Sequence, residues 1–140
     1  MKRSVVTKLG AGVLALLLLC GCATLGKGPS DEELIAATIA KWSAGLAAQD
    51  ADKVMATYSE NFESADMPDK EAMRELIEMA FEGGYLDDAE VITDEAETVI
   101  EGDKATFGPV ELSGAMGSMM LDFTLQKEGG AWLIVGSEGG

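Results

Sequence analysis

The sequence contains no histidine, and its only two cysteines, Cys20 and Cys22, fall at the start of a 140-residue chain. Without imidazole, Ser–His–Asp and Cys–His catalysis and histidine-based metal sites are excluded. With both thiols so early, no disulfide can form inside the remainder of the chain. A body of this length buries roughly two-thirds of its unfolded surface and does not need such staples. Positive charge is scarce as well: ten Lys and Arg stand against 25 Asp and Glu, a formal net charge of −15. Three of the ten, Lys2, Arg3 and Lys8, lie in the first eight residues; ten less three leaves seven against 25, or −18 for the rest. Such a surface repels phosphate backbones, so a nucleic-acid partner is not expected. It suits solubility or a salt-rich habitat, with a docking face for cations or a basic partner as the alternative.

What is present begins with a basic stretch, Met1–Lys8, followed by an eleven-residue apolar run, Leu9–Leu19. Eleven residues are too few to span a bilayer comfortably, and charge followed by an apolar core has the plan of an export signal. Its end, Leu19-Cys20-Gly21-Cys22, resembles the lipobox of bacterial lipoproteins. That resemblance implies cleavage after Gly21, with Cys22 as the lipidated residue. Cys20 does not fit, because Leu19 before it is not small. In that family the lipid carries several acyl chains, palmitate among them, and more than one chain holds a protein on a membrane lastingly. Ala23 after the cysteine, rather than aspartate, implies the outer membrane facing the periplasm where the cell is diderm. The alternative is an uncleaved anchor helix or an ordinary signal peptide. Residues 23–30, with Gly26, Gly28 and Pro29, read as a linker that reaches at most about 29 Å when extended. The expected organisation is therefore a signal peptide at 1–21, a lipidated cysteine and linker at 22–30, and one domain at 31–138.

Within that domain Ile35, Ile39, Trp42 and Leu46 recur at helical spacing and share one face. Ser30 with Glu33 forms a capping-box pattern, and Asp50 is placed to cap a second helix carrying Val54, Met55 and Tyr58. Pro68 marks a boundary, Asp69 a further cap, and Lys70–Glu82 a third helix with Met73, Leu76, Ile77, Ala80 and Phe81 on one side. Gly83-Gly84 ends it. From Glu90 onward the period falls to two: Leu121, Phe123 and Leu125 alternate with Asp122, Thr124 and Gln126. Gly102-Asp103 and Gly129-Gly130 are hairpin signals, Gly114–Gly117 reads as a looser turn, and Gly108-Pro109 as a bulge or an edge position. The final strand is expected over Ala131–Val135. Three helices followed by about four strands predict an α+β fold, with the helices covering one face of a curved antiparallel sheet.

The run Lys41–Tyr58 contains an apolar helix with a small residue at Gly45, then Asp50-Ala51-Asp52, then an aromatic at Tyr58. It resembles the signature of the nuclear transport factor 2-like (SnoaL-like) superfamily, and Gly130–Val135 with Trp132 resembles that family's last strand. The resemblance covers about 31–138 and implies a cone, a bent sheet wrapped around helices with a cavity at the wide end. Trp42, Tyr58, Phe62, Phe81, Phe107, Phe123 and Trp132 are then the candidate lining residues, with ordinary core packing as the alternative for each.

Ketosteroid isomerase is an enzyme of this superfamily, and a gapless comparison from Trp42 to Pro68 sets Asp66 at its carboxylate base. That enzyme's tyrosine donor corresponds to Trp42 here, and its neutral carboxylic acid to Leu121, since Asp122 points to the opposite face. A base without an electrophile stabilises little developing charge, so Asp66 also reads as a solvated loop carboxylate. Tyr58 and Tyr85 can donate hydrogen bonds into a pocket or simply pack. Met116, Met119 and Met120, with Met67, Met73 and Met79, offer thioethers to Cu(I), or an adaptable pocket lining. Asp87-Asp88-Glu90 and Asp94-Glu95-Glu97 lack the spacing of a calcium loop. No cofactor is expected. The leading expectation is a non-catalytic, lipid-anchored envelope domain that binds a small apolar ligand or a protein partner. The rivals are an enzyme using Asp66, and a structural module with a filled cavity that forms a homodimer through its sheet face.

Overall fold

The computed structural model describes residues 28–140. The expected cleavage and lipidation positions, Gly21 and Cys22, lie outside the described residues. The chain divides into two units, Met1–Ser30 and Asp31–Gly140. Among the described residues the buried apolar ones all lie between Ile35 and Ile134, so the second unit folds around a core of its own.

That unit runs α1 (Asp31–Ala47), α2 (Ala51–Met55), α3 (Lys70–Glu82), β1 (Glu90–Ile92), β2 (Glu97–Glu101), β3 (Lys104–Gly114), β4 (Gly117–Glu128) and β5 (Ala131–Gly139). Five strands, not about four, make one antiparallel sheet; the addition is the three-residue β1. In the order β1-β3-β4-β5, β1 pairs the second half of β3, and β2 pairs its first half along the same edge. The fold is α+β, with the helices against a curved sheet.

The helix ends follow their capping chemistry. The Asp50 carboxylate accepts from the Lys53 backbone N–H at 3.2 Å, and Asp69 accepts from Ala72 at 2.9 Å. Each satisfies an amide with no partner inside the helix. α3 closes with Gly84 at φ +73°, where the Tyr85 N–H donates to the Ala80 carbonyl and the Gly84 N–H to that of Phe81. This reverses the chain sharply at low steric cost and brings Tyr85 back toward the sheet.

Tyr58 differs from expectation. The second helix stops at Met55, and Tyr58 forms an isolated parallel bridge with Ile134. The Ile134 N–H donates to the Thr57 carbonyl and the Ser59 N–H to the Ile134 carbonyl, both at 2.8 Å. Pairing with β5 outcompetes another helical turn and fixes the tyrosine at the sheet edge.

Two irregularities bend the sheet. Register shifts between Phe107 and Val110, around the cis peptide Gly108-Pro109, so the expected bulge is present in an interior strand. Gly108 is required there, because a Cβ would meet the Asp122 backbone at 3.1 Å and its carboxylate closer still. β4 pairs β5 with a second shift, Thr124 opposite Gly136 and Leu125 opposite Ile134, which leaves Val135 as the extra residue. That bulge lets β5 continue to Gly139, past the expected end at Val135. Gly114 pairs directly with Gly117, so the turn there has two residues and is tighter than expected.

Inside the curve, Ile35, Ile39, Trp42 and Leu46 of α1 pack with Phe123, Leu125, Trp132 and Ile134 in one buried cluster. Asp31, at the start of α1, accepts from Lys127 Nζ at 2.9 Å and from Trp132 Nε1 at 3.1 Å. The Thr38 hydroxyl donates to the Trp132 carbonyl at 2.6 Å. These bonds tie the first half of the helix to the β4–β5 hairpin.

Candidate functional site

At the other end of α1 the layers do not close. A cavity of about 630 Å³ lies between the end of α1, the chain after α2, the inner face of α3 and the β3–β4 end of the sheet. Its volume falls in the usual range for small-molecule sites. Trp42 and Leu46 enter from α1, Met73 and Ile77 from α3, and Leu112, Leu121 and Phe123 from the sheet. The Tyr85–Leu86 turn completes the wall. Gly114 permits that approach, since a Cβ there would lie 2.7 Å from the Tyr85 carbonyl oxygen. Leu76, Tyr85, Met116 and Met119 line the cavity and are also well exposed, which marks its mouth.

The innermost polar groups are Trp42 and Tyr58, 3% and 4% exposed. Trp42 Nε1 donates to Tyr58 Oη at 3.2 Å. The Trp42 ring meets Phe123 edge-on at 4.9 Å, and the Tyr58 ring meets Phe62 edge-on at 5.0 Å. These contacts hold both rings in place. Burial pushes the Tyr58 hydroxyl up to about 12, against a smaller downward pull from the Trp42 N–H, so at any ordinary pH it is a neutral phenol.

Of the seven aromatics expected to line a pocket, Trp42, Tyr58 and Phe123 do so. Phe62, Phe107 and Trp132 do not line the cavity: each is buried in the core cluster. Phe62 stands against Tyr58, Phe107 pairs with Phe123 across β3 and β4, and Trp132 is turned to Asp31. Phe81 packs half-buried at the core's margin and also lies outside the lining. Asp66 lines the cavity but is exposed. Leu121 is on the wall, and the indole N–H of Trp42 is already committed to Tyr58.

Four methionines that the sequence scatters, Met67, Met73, Met116 and Met119, meet on this lining. Met79 is 62% exposed, and Met120, opposite Glu111, does not line the cavity. The sequence sets Leu76 on one side of α3 with Met73 and Ile77, and Leu76 is 43% exposed at the mouth while those two are buried. Periodicity shows which residues share a face; it does not show whether the facing layer touches them. Among the described residues no group of three or more Asp or Glu side chains converges as a metal site. A second, polar depression of about 400 Å³ is bordered by Glu60, Asp69, Lys70, Glu71 and Arg74. Its cations are paired, Lys70 with Glu60 and Arg74 with Asp52 and Glu78.

The architecture is shared with solved structures. A protein from Nostoc punctiforme with a cystatin-like fold superposes with a TM-score of 0.65 at 16% identity, over 78% of this chain and 89% of its own. Nuclear transport factor 2-like proteins from Shewanella baltica and Shewanella oneidensis give TM-scores of 0.62 and 0.64. Their identities are 14% and 12%, and the matches cover 81% and 79% of this chain and 98% of each of theirs. The body has the nuclear transport factor 2-like fold. At such identities the likeness concerns fold alone. No family model matches the chain, and no curated protein is significantly similar to it. The cavity of this nuclear transport factor 2-like body is therefore read on its own chemistry. It is a thioether- and aromatic-lined hollow with one buried hydroxyl and a carboxylate on its lining.

Proposed function

We propose that the body is a binding domain that takes a small apolar ligand into its open end and is held at the cell envelope by a lipid on Cys22. The observation that carries the binding half is the cavity itself, about 630 Å³ and lined by Met67, Met73, Met116, Met119, Trp42 and Phe123. Thioethers are polarizable and conformationally adaptable, and suit apolar guests of irregular shape. The anchor rests on the leader alone. Among the described residues no helix is long and apolar enough to cross a membrane.

The outward side of the sheet carries Lys104, Thr106, Asp122, Thr124 and Gln126, with the apolar Val99, Met120 and Leu133 set among them, a mixed face that favours a ligand over a homodimer built through a continuous apolar surface. Asp66 on the lining supports a second reading, an enzyme with this carboxylate as base. Its exposure, and the commitment of the Trp42 N–H to Tyr58, weigh against it.

The neutral fluorophore N-phenyl-1-naphthylamine tests the binding reading on residues 31–140. Saturable one-to-one binding with a blue-shifted emission is expected, and Ala80→Trp, which fills the cavity, should abolish it. Absence of saturable binding, or binding indifferent to that substitution, overturns the reading. For the anchor, Cys22→Ser in the full chain should move the protein from the membrane to the soluble fraction. Retention on the membrane would mean an uncleaved helix instead.

A further inference from the structure

The Tyr58 hydroxyl is only half used. It accepts from Trp42 Nε1, but among the described residues its own hydrogen has no protein acceptor. The residue is 4% exposed and lines the cavity. Ser64, Ser118, Ser137 and Tyr85 also carry hydroxyls on the lining, but all four are within reach of solvent. Tyr58 is the buried hydroxyl of the lining. Accepting one hydrogen bond polarises a hydroxyl and makes it a stronger donor, an effect that grows in a weakly polar environment. A buried donor left unmatched costs free energy that a ligand recovers by supplying an acceptor. Among the described residues no Lys or Arg lines the cavity, the lining includes the Asp66 carboxylate, and the protein carries a large negative charge. An anionic ligand would lose its hydration there with no cation to replace it.

We infer that the cavity selects neutral ligands that bury a hydrogen-bond acceptor, such as a carbonyl, ester or amide oxygen, against the Tyr58 hydroxyl, and that it rejects anionic amphiphiles. Tyr58 is then the specificity-determining residue, and Trp42 positions and polarises it. This rests on the binding reading above, and the test separates the two.

Three probes of one shape distinguish the outcomes on residues 31–140: 2-acetylnaphthalene, 2-isopropenylnaphthalene, which has CH₂ in place of the oxygen, and 2-naphthoate. Affinities follow from quenching of tryptophan fluorescence. The ketone should bind about tenfold more tightly than the alkene. Naphthoate should bind more weakly than the ketone by at least about tenfold. Tyr58→Phe should bring the ketone-to-alkene affinity ratio down to about one. In the unmutated protein, the infrared carbonyl band of bound 2-acetylnaphthalene should lie below its position in hexane, a readout that does not depend on any variant folding. Equal binding of ketone and alkene with an unshifted carbonyl band overturns the role of Tyr58 and leaves the binding reading standing. Naphthoate binding as tightly as the ketone overturns the selection for neutral ligands. Failure of both neutral probes, together with N-phenyl-1-naphthylamine, to bind overturns the binding reading itself.

Discussion

The two tryptophans sit at opposite ends of the same helix–sheet sandwich and do different work. Trp132 is 1% exposed, and its N–H donates to the Asp31 carboxylate, which also holds Lys127. Ile35, Leu125 and Ile134 of the same buried cluster leave almost no exposed surface. Trp42 is nearly as buried, at 3%, but its N–H donates to a phenol and its ring borders about 630 Å³ of open space. One end of the body is closed by packing and a charge-assisted bond, while the other is held open by a bend in the sheet and a sharp turn after α3. Burial of a side chain against its neighbours therefore does not tell a filled end from a hollow one. The layer opposite decides.

The sharpest way to break this contrast is to truncate both indoles. Trp132→Ala should destabilise the body by about 4 kcal/mol in urea unfolding, since large-to-small changes in a filled core leave a void. Trp42→Ala should cost clearly less, because the space it leaves joins a cavity that already exists. Equal losses would mean the open end is as tightly determined as the closed one. Next in size is Gly45→Ala, at the crossing of α1 and α2. A Cβ there would meet Val54 Cγ2 at 2.7 Å and Val54 N at 2.9 Å, with backbone on the far side. A loss of about 2 kcal/mol is expected, with the fluorophore still bound after correction for the unfolded fraction. If binding fails while the fold persists, the helix crossing also shapes the cavity.

The closed end should respond to acid. Hydrogen bonds from Lys127 and then Trp132 hold the Asp31 carboxyl below its ordinary value of 3.8. A depressed carboxylate contributes stability above its unfolded-state value, lost as pH falls through the folded one. Asp31→Asn should therefore lower stability at neutral pH and flatten its decline below about pH 4, read as the shift of the acid-unfolding midpoint. The smallest expected change is Asp66→Asn. Being exposed, Asp66 should leave stability within about 0.5 kcal/mol and fluorophore affinity unchanged. A marked loss of binding would bring the carboxylate into the site and revive the enzymatic reading.

Much of the scaffold is legible before any coordinates. The caps at Asp50 and Asp69, the third helix over Lys70–Glu82 and the glycine hairpins rest on bonds a few residues long, which local chemistry dictates. The site is less legible. Tyr58 leaves the helix because of a partner 76 residues away, Ile134, and that pairing sets its hydroxyl beside Trp42. The four methionines of the lining lie on three separate stretches of chain, and no period links them.

By itself, then, the sequence determined the charge, the absence of histidine chemistry and the order of helices and strands, because each depends on composition or on neighbours a turn apart. Only the tertiary structure decided which aromatic faces fill and which stay open. That outcome follows from how far two bulges bend the sheet and how closely the Tyr85 turn approaches Gly114. Those distances arise when remote segments meet, so no local pattern encodes them.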